Sequence, residues 1–176
     1  MKTKLTAAIL GLGMLGVADV AIAQSSNFRA SLDGYQAVPA LSLPNSTGKL
    51  TLFRINGNSS IDYTINYNTG GDRVQQIHVH FGRPGTNGGV IAFLCSNLGN
   101  APAGTPLCPA TPASVSGTLA ADDIVGPSAQ GIAPGELAEV IAAVRAGAVY
   151  VCVHTNAFPG GSIRGAVVKG GGGGDD

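Results

Sequence analysis

All three histidines of the chain fall on two short segments whose alternation is that of β-strands. His78 and His80 form a His-x-His pair within Gln75-Gln76-Ile77-His78-Val79-His80-Phe81, which runs into a Gly/Pro/Asn turn ending at Gly88-Gly89. His154 closes Val149-Tyr150-Val151-Cys152-Val153-His154, again followed by a Pro-Gly-Gly turn at 159–161. Side chains two apart on a strand share a face, with Cα atoms roughly 6.5–7 Å apart. His78 and His80 therefore point one way on their strand, and Tyr150, Cys152 and His154 one way on theirs. Brought side by side, the two strands would offer three imidazole nitrogens and a thiol to one transition-metal ion: His78, His80 and His154, with Cys152 as a candidate fourth ligand. Spacing alone leaves a second reading open, hydrogen-bonded histidines on a half-exposed sheet face, because His-x-His has no third ligand at a fixed distance.

The elements that must hold these residues are short strands. Alternation and turn residues predict strands at 28–32, 48–55, 60–67, 75–81, 89–95, 115–119, 149–154 and 162–168. Ile61, Tyr63, Ile65 and Tyr67 have the period of two that a half-buried strand requires, whereas Leu50 and Leu52 fall on one face and Phe53 and Ile55 on the other. Asn56-Gly57-Asn58 makes a hairpin turn, so its flanking strands are expected to be antiparallel neighbours. Residues 120–124 read as a single helical turn. One helix is expected at 134–145: Pro134 near its first position, Glu136 and Glu139 early, Arg145 and Gly147 at its end, and Leu137, Val140, Ile141 and Val144 as an apolar stripe that covers the sandwich. Arg164, on the last strand, is expected to act as a structural clamp on turn carbonyls.

The first residues read as an export signal. Lys2 and Lys4 precede an apolar run at 5–17 that is too short to cross a membrane, and Ala21-Ile22-Ala23 is a small-x-small cleavage site. Residues 1–23 are accordingly a signal peptide, 24–169 one β-sandwich domain and 170–176 a flexible Gly/Asp tail. The exported protein is expected in the periplasm, or secreted or at the cell surface, with no transmembrane segment after cleavage. In that oxidising setting Cys95 and Cys108 are the expected disulfide, closing the Gly/Pro-rich loop 96–107 and contributing about 3 kcal/mol through loop entropy. Cys152 is then left over, as a buried inert thiol, a partner for another chain or a metal ligand.

Composition narrows the function classes. Hydrophobic residues make up 44% of the chain, ample for one core, and its 27 glycines and 10 prolines punctuate short strands as in a sandwich or barrel. Removing Lys2, Lys4 and Asp19 with the signal leaves eight basic and nine acidic residues, a net of about −1, so no basic face points to nucleic acid. No Gly-x-Ser-x-Gly elbow and no paired carboxylates at a recognisable spacing suggest a hydrolase.

Several motifs, in order, resemble a known family: Leu32-Asp33-Gly34-Tyr35-Gln36-Ala37-Val38-Pro39, Ile77-His78-Val79-His80 with Asn87-Gly88-Gly89-Val90, and Tyr150-Val151-Cys152-Val153-His154-Thr155 with Phe158-Pro159-Gly160-Gly161-Ser162-Ile163-Arg164-Gly165. From residue 28 to 168 the chain is similar to the CHRD domain, the module repeated in chordin and found singly in exported bacterial proteins. The resemblance implies an all-β, antiparallel, Greek-key-like β-sandwich and a binding or structural role. The family's signature histidines match His78, His80 and His154, while Cys152 stands where the family usually has Asn. The expected function is an exported, non-catalytic module that binds copper, in preference to zinc, at a three-histidine site. The alternative is an envelope or extracellular protein-interaction module with structural histidines and the disulfide-tied loop as its contact surface. A copper-only redox enzyme is a third reading; the His-x-His strand is similar to the copper motif of copper-zinc superoxide dismutase, but three histidines are too few for that enzyme's paired metal sites.

Overall fold

The structure, a computed structural model, describes residues 26–170. The leader expected at 1–23 lies outside the described residues, as do residues 171–176 of the expected tail; Gly170 donates its N–H to the Asn27 carbonyl (2.9 Å). The chain forms strands β1 Ser26–Leu32, β2 Ser46–Asn56, β3 Ser60–Thr69, β4 Val74–Phe81, β5 Gly89–Ser96, β6 Ala113–Leu119, β7 Val149–Thr155, β8 Ile163–Ala166 and β9 Val168–Lys169, with one α-helix, α1, at Leu137–Arg145. Two antiparallel sheets result, ordered β6-β3-β2-β1-β9 and β5-β4-β7-β8. This is the antiparallel all-β sandwich that the resemblance implies, with the short covering helix that the apolar stripe predicts.

Apolar side chains from the inner faces of both sheets make one core. Ile61, Tyr63, Ile65 and Tyr67 point inward from β3 at the expected period of two, while Ile77 and Val79 of β4 and Val151 and Val153 of β7 face them from the other sheet. Tyr63 ties the layers directly, donating its buried hydroxyl to the Leu94 carbonyl of β5 (2.8 Å). Asn56 pairs with Ser60 and Ile55 with Ile61 around the β2–β3 turn, which fixes the register of that hairpin. Cys95 and Cys108 form the expected disulfide, their Cα atoms 5.1 Å apart. It pins the end of β5 to the loop leading to β6.

Three expectations need correction. Strict alternation put Leu50 and Phe53 on opposite faces, but a β-bulge between Leu50 and Leu52 inserts one residue, so Leu50, Phe53 and Ile55 are all fully buried. The single strand expected at 162–168 is two: β8 pairs with β7, and the chain then crosses at the buried Val167 so that β9 pairs with β1 of the other sheet. The helix begins at Leu137 rather than near Pro134, because Gly135 takes a left-handed φ of 86° that interrupts a helical run. Glu136 caps this turn, its carboxylate accepting the Ala133 N–H (2.6 Å). The apolar stripe itself is in place: Leu137, Val140, Ile141 and Val144 all join the core.

Candidate metal centre

β4 lies between β5 and β7, and its inner face is fully apolar. Gln76, His78 and His80 of β4 and Tyr150, Cys152 and His154 of β7 alternate with those inward residues and occupy the opposite, outer face of this sheet. Register places Gln76 opposite His154, His78 opposite Cys152 and His80 opposite Tyr150. Across the other edge His78 faces Phe93, the two rings meeting edge to face at 4.5 Å. An outer sheet face normally meets solvent, yet His78 and His80 are only 6% and 7% exposed. The turns at 82–88 and 156–162, together with Ala37 and Val38, wall in this face around a cavity of about 110 Å³.

The three histidines converge there. Their ligand nitrogens all lie within 4.8 Å of one another, and the His78 ring centroid is 5.4 Å from that of His80 and 4.7 Å from that of His154. Neighbouring backbone carbonyls set the ring orientations. His80 Nδ1 lies 3.0 Å from the Gly88 carbonyl and His154 Nδ1 2.9 Å from the Pro159 carbonyl. A carbonyl oxygen only accepts, so both Nδ1 atoms carry the proton and both Nε2 atoms carry a lone pair. Those two Nε2 atoms face each other at 3.4 Å, which as two acceptors is no hydrogen bond. Two nitrogens bonded at about 2.0–2.1 Å to a tetrahedral ion stand roughly 3.3–3.4 Å apart, so this pair has the spacing of two ligands on one cation. Both ring nitrogens of His78, buried beside them, have no hydrogen-bond partner among the described residues.

Burial keeps these imidazoles neutral, the form that ligates a metal. It pushes His78 down to about 3, with His154 and His80 adding further depression. His80 falls to about 4 by burial, partly opposed by its bond to Gly88. His154 is lowered for the same reason, again opposed by its carbonyl partner. Cys152 behaves differently. It is a free, buried cysteine, and its sulfur does not join the histidine group. It lies instead against Gly161, where a Cβ would come within 2.6 Å of Sγ. Burial raises its thiol to about 12 and so disfavours the thiolate that ligation requires.

Around the rings lies a shell of which spacing revealed only part. Tyr150 stacks on His80 with ring centroids 4.8 Å apart and planes 2° from parallel. Arg164, opposite Cys152, places its guanidinium 3.7 Å from the Tyr150 ring centroid. It donates to the Thr86 carbonyl (2.9 Å) and to Asn87 Oδ1 (3.3 Å), both in the turn after β4. Gly88 is in contact too close for any side chain, since a Cβ there would collide with the Phe81 carbonyl. Without that approach its own carbonyl could not reach His80. The period of two already placed Tyr150 on the ligand face, but no pattern announces the carbonyls of Gly88 and Pro159.

Fold and site together define a two-sheet antiparallel sandwich with a buried cluster of neutral imidazoles on the outer face of one sheet. The family model described as CHRD domain matches residues 28–167, and the chain belongs to that family. No curated protein and no solved structure matches the chain.

Proposed function

We propose that this chain is an exported, non-catalytic CHRD module that holds one transition-metal ion on His78, His80 and His154, copper in preference to zinc. The observation that carries this reading is the pair of Nε2 lone pairs aimed at each other across 3.4 Å, with the partnerless ring of His78 beside them. In the absence of a cation that arrangement is electrostatically unfavourable, whereas a cation satisfies all three rings at once. The Nδ1 contacts to Gly88 and Pro159 are the outer-shell bonds that orient ligating histidines in metal sites. A donor set of neutral imidazoles without thiolate or carboxylate favours copper(II) over zinc, following the general affinity order for nitrogen ligands. Export is supported by the leader-like residues 1–23 and by the Cys95–Cys108 disulfide, a bond that persists in oxidising compartments.

The test is metal retention. Signal-free protein, loaded with copper and zinc in competition and dialysed against a weak chelator, is expected to keep one equivalent of copper. Alanine at His78, His80 or His154 is expected to abolish retention. A folded wild type that keeps no metal would overturn the proposal and leave the interaction module, with Leu98 and Leu107 exposed on the disulfide loop, as the reading to pursue.

A further inference from the structure

Arg164 is 4% exposed, and a buried guanidinium ordinarily has a carboxylate partner. Here it has none: among the described residues the one ion pair is Arg54 with Asp62. Asp33 is bonded to Arg164 through backbone groups on both sides, but its carboxylate accepts from the Gln36 amide and side chain instead. Of the five N–H donors of the guanidinium, those accounted for go to Thr86 and Asn87, both neutral. Its positive charge is thus buried without an anionic partner, resting against the face of the Tyr150 ring. Arg164 also lines the same cavity of about 110 Å³ as His80, His154 and Tyr150. At about 30 Å³ per water, that space takes roughly three waters or a ligand of similar size.

Resting on the metal reading above, we propose that this cavity binds a small monovalent anion, of two to three heavy atoms, between the metal ion and the Arg164 guanidinium. Three protein nitrogens leave a coordination position free on a four-coordinate ion. The cavity that His80 and His154 line gives that position an approach, and Arg164 is the one side chain of the lining that can compensate an anion's charge. A neutral ligand gains nothing from Arg164, so selectivity for anions is its contribution.

Azide is the probe. Wild-type protein is loaded with copper(II), its metal content is confirmed, and azide is titrated while the visible absorption of the copper is followed. Saturable binding of one azide per copper is expected. Arg164→Gln is expected to weaken azide by about tenfold to a hundredfold, the worth of a charged hydrogen bond, while Arg164→Lys keeps most of the affinity. Neutral acetonitrile, which has the same three heavy atoms as azide, titrated in parallel, is expected to bind the wild type and Arg164→Gln alike. Three results overturn the inference: no azide binding by the copper-loaded wild type, equal azide affinity in wild type and Arg164→Gln, or equal weakening of azide and acetonitrile, which would make Arg164 solely a clamp on the 82–88 turn. A protein that retains no copper fails at the earlier metal assay, where the metal reading itself falls and this inference with it.

Discussion

Replacing His78 by Leu is expected to stabilise the metal-free protein while removing its capacity for metal. The His78 ring has one N–H and one lone pair to satisfy, and both nitrogens are buried without partners. Each such group costs about 1–3 kcal/mol. Leucine removes both penalties in a comparable volume. Against this gain stand the edge-to-face contact with Phe93, worth about 0.5–1.5 kcal/mol, and an imperfect fit of the new side chain, at most about 1.5 kcal/mol. At mid-range values of these terms the net expectation is a gain of about 2 kcal/mol. Urea unfolding in the presence of a chelator, with the disulfide intact, measures it directly. With a slope of about 2 kcal/mol/M, the midpoint should rise by about 1 M. Saturating copper should reverse the order, because only the wild type gains stability by binding. A midpoint for metal-free His78→Leu at or below that of the wild type would refute the argument, since the His78 nitrogens would then not be the uncompensated groups described.

Three further outcomes follow from the same geometry. Metal-free stability should fall as pH drops below about 6.5: His78 and His80 are depressed to about 3 and about 4 when folded, so between those values and 6.5 the unfolded chain binds protons that the folded one refuses. The loss is about 1.4 kcal/mol per histidine per pH unit, checked by urea midpoints between pH 7 and 4, and a profile as flat as that of a variant lacking both rings would contradict it. Gly88→Ala, which forces the turn away from Phe81 and His80, should weaken metal binding by about tenfold to a hundredfold with all three ligands present; unchanged affinity in a chelator competition would show that the Gly88 carbonyl does not orient His80. Tyr63→Phe strips the Leu94 carbonyl of its inter-sheet donor and should cost about 1–2 kcal/mol in urea unfolding while leaving metal retention intact.

Much of this architecture was legible in local pattern. The valines and isoleucines of β4 and β7 alternate with His78, His80, Tyr150, Cys152 and His154, which already sorts the chemistry onto one face of each strand. Pairing of β4 with β7 was not legible, because about seventy residues, with β5, β6 and α1 among them, separate the two in sequence and no local rule fixes such a register. The bulge at Leu50–Leu52 and the crossover at Val167 were hidden for a related reason: alternation reads a strand as continuous, and a one-residue insertion or a change of sheet is decided by packing. The same holds for the burial of the site. Polar residues on an outer sheet face read as exposed until the turns at 82–88 and 156–162 are seen to fold back over them, and the glycines that permit this carry no mark of what they approach.

The central claim is that three imidazoles converge on one ion. Its most direct test is the electron paramagnetic resonance of the copper(II)-loaded, signal-free protein, which registers the nitrogens bound to the metal. The account predicts one copper per chain with coupling to the nitrogens of His78, His80 and His154, and loss of that spectrum in His154→Ala. A spectrum of oxygen-only coordination, or nitrogen coupling unchanged when His154 is replaced, would contradict it.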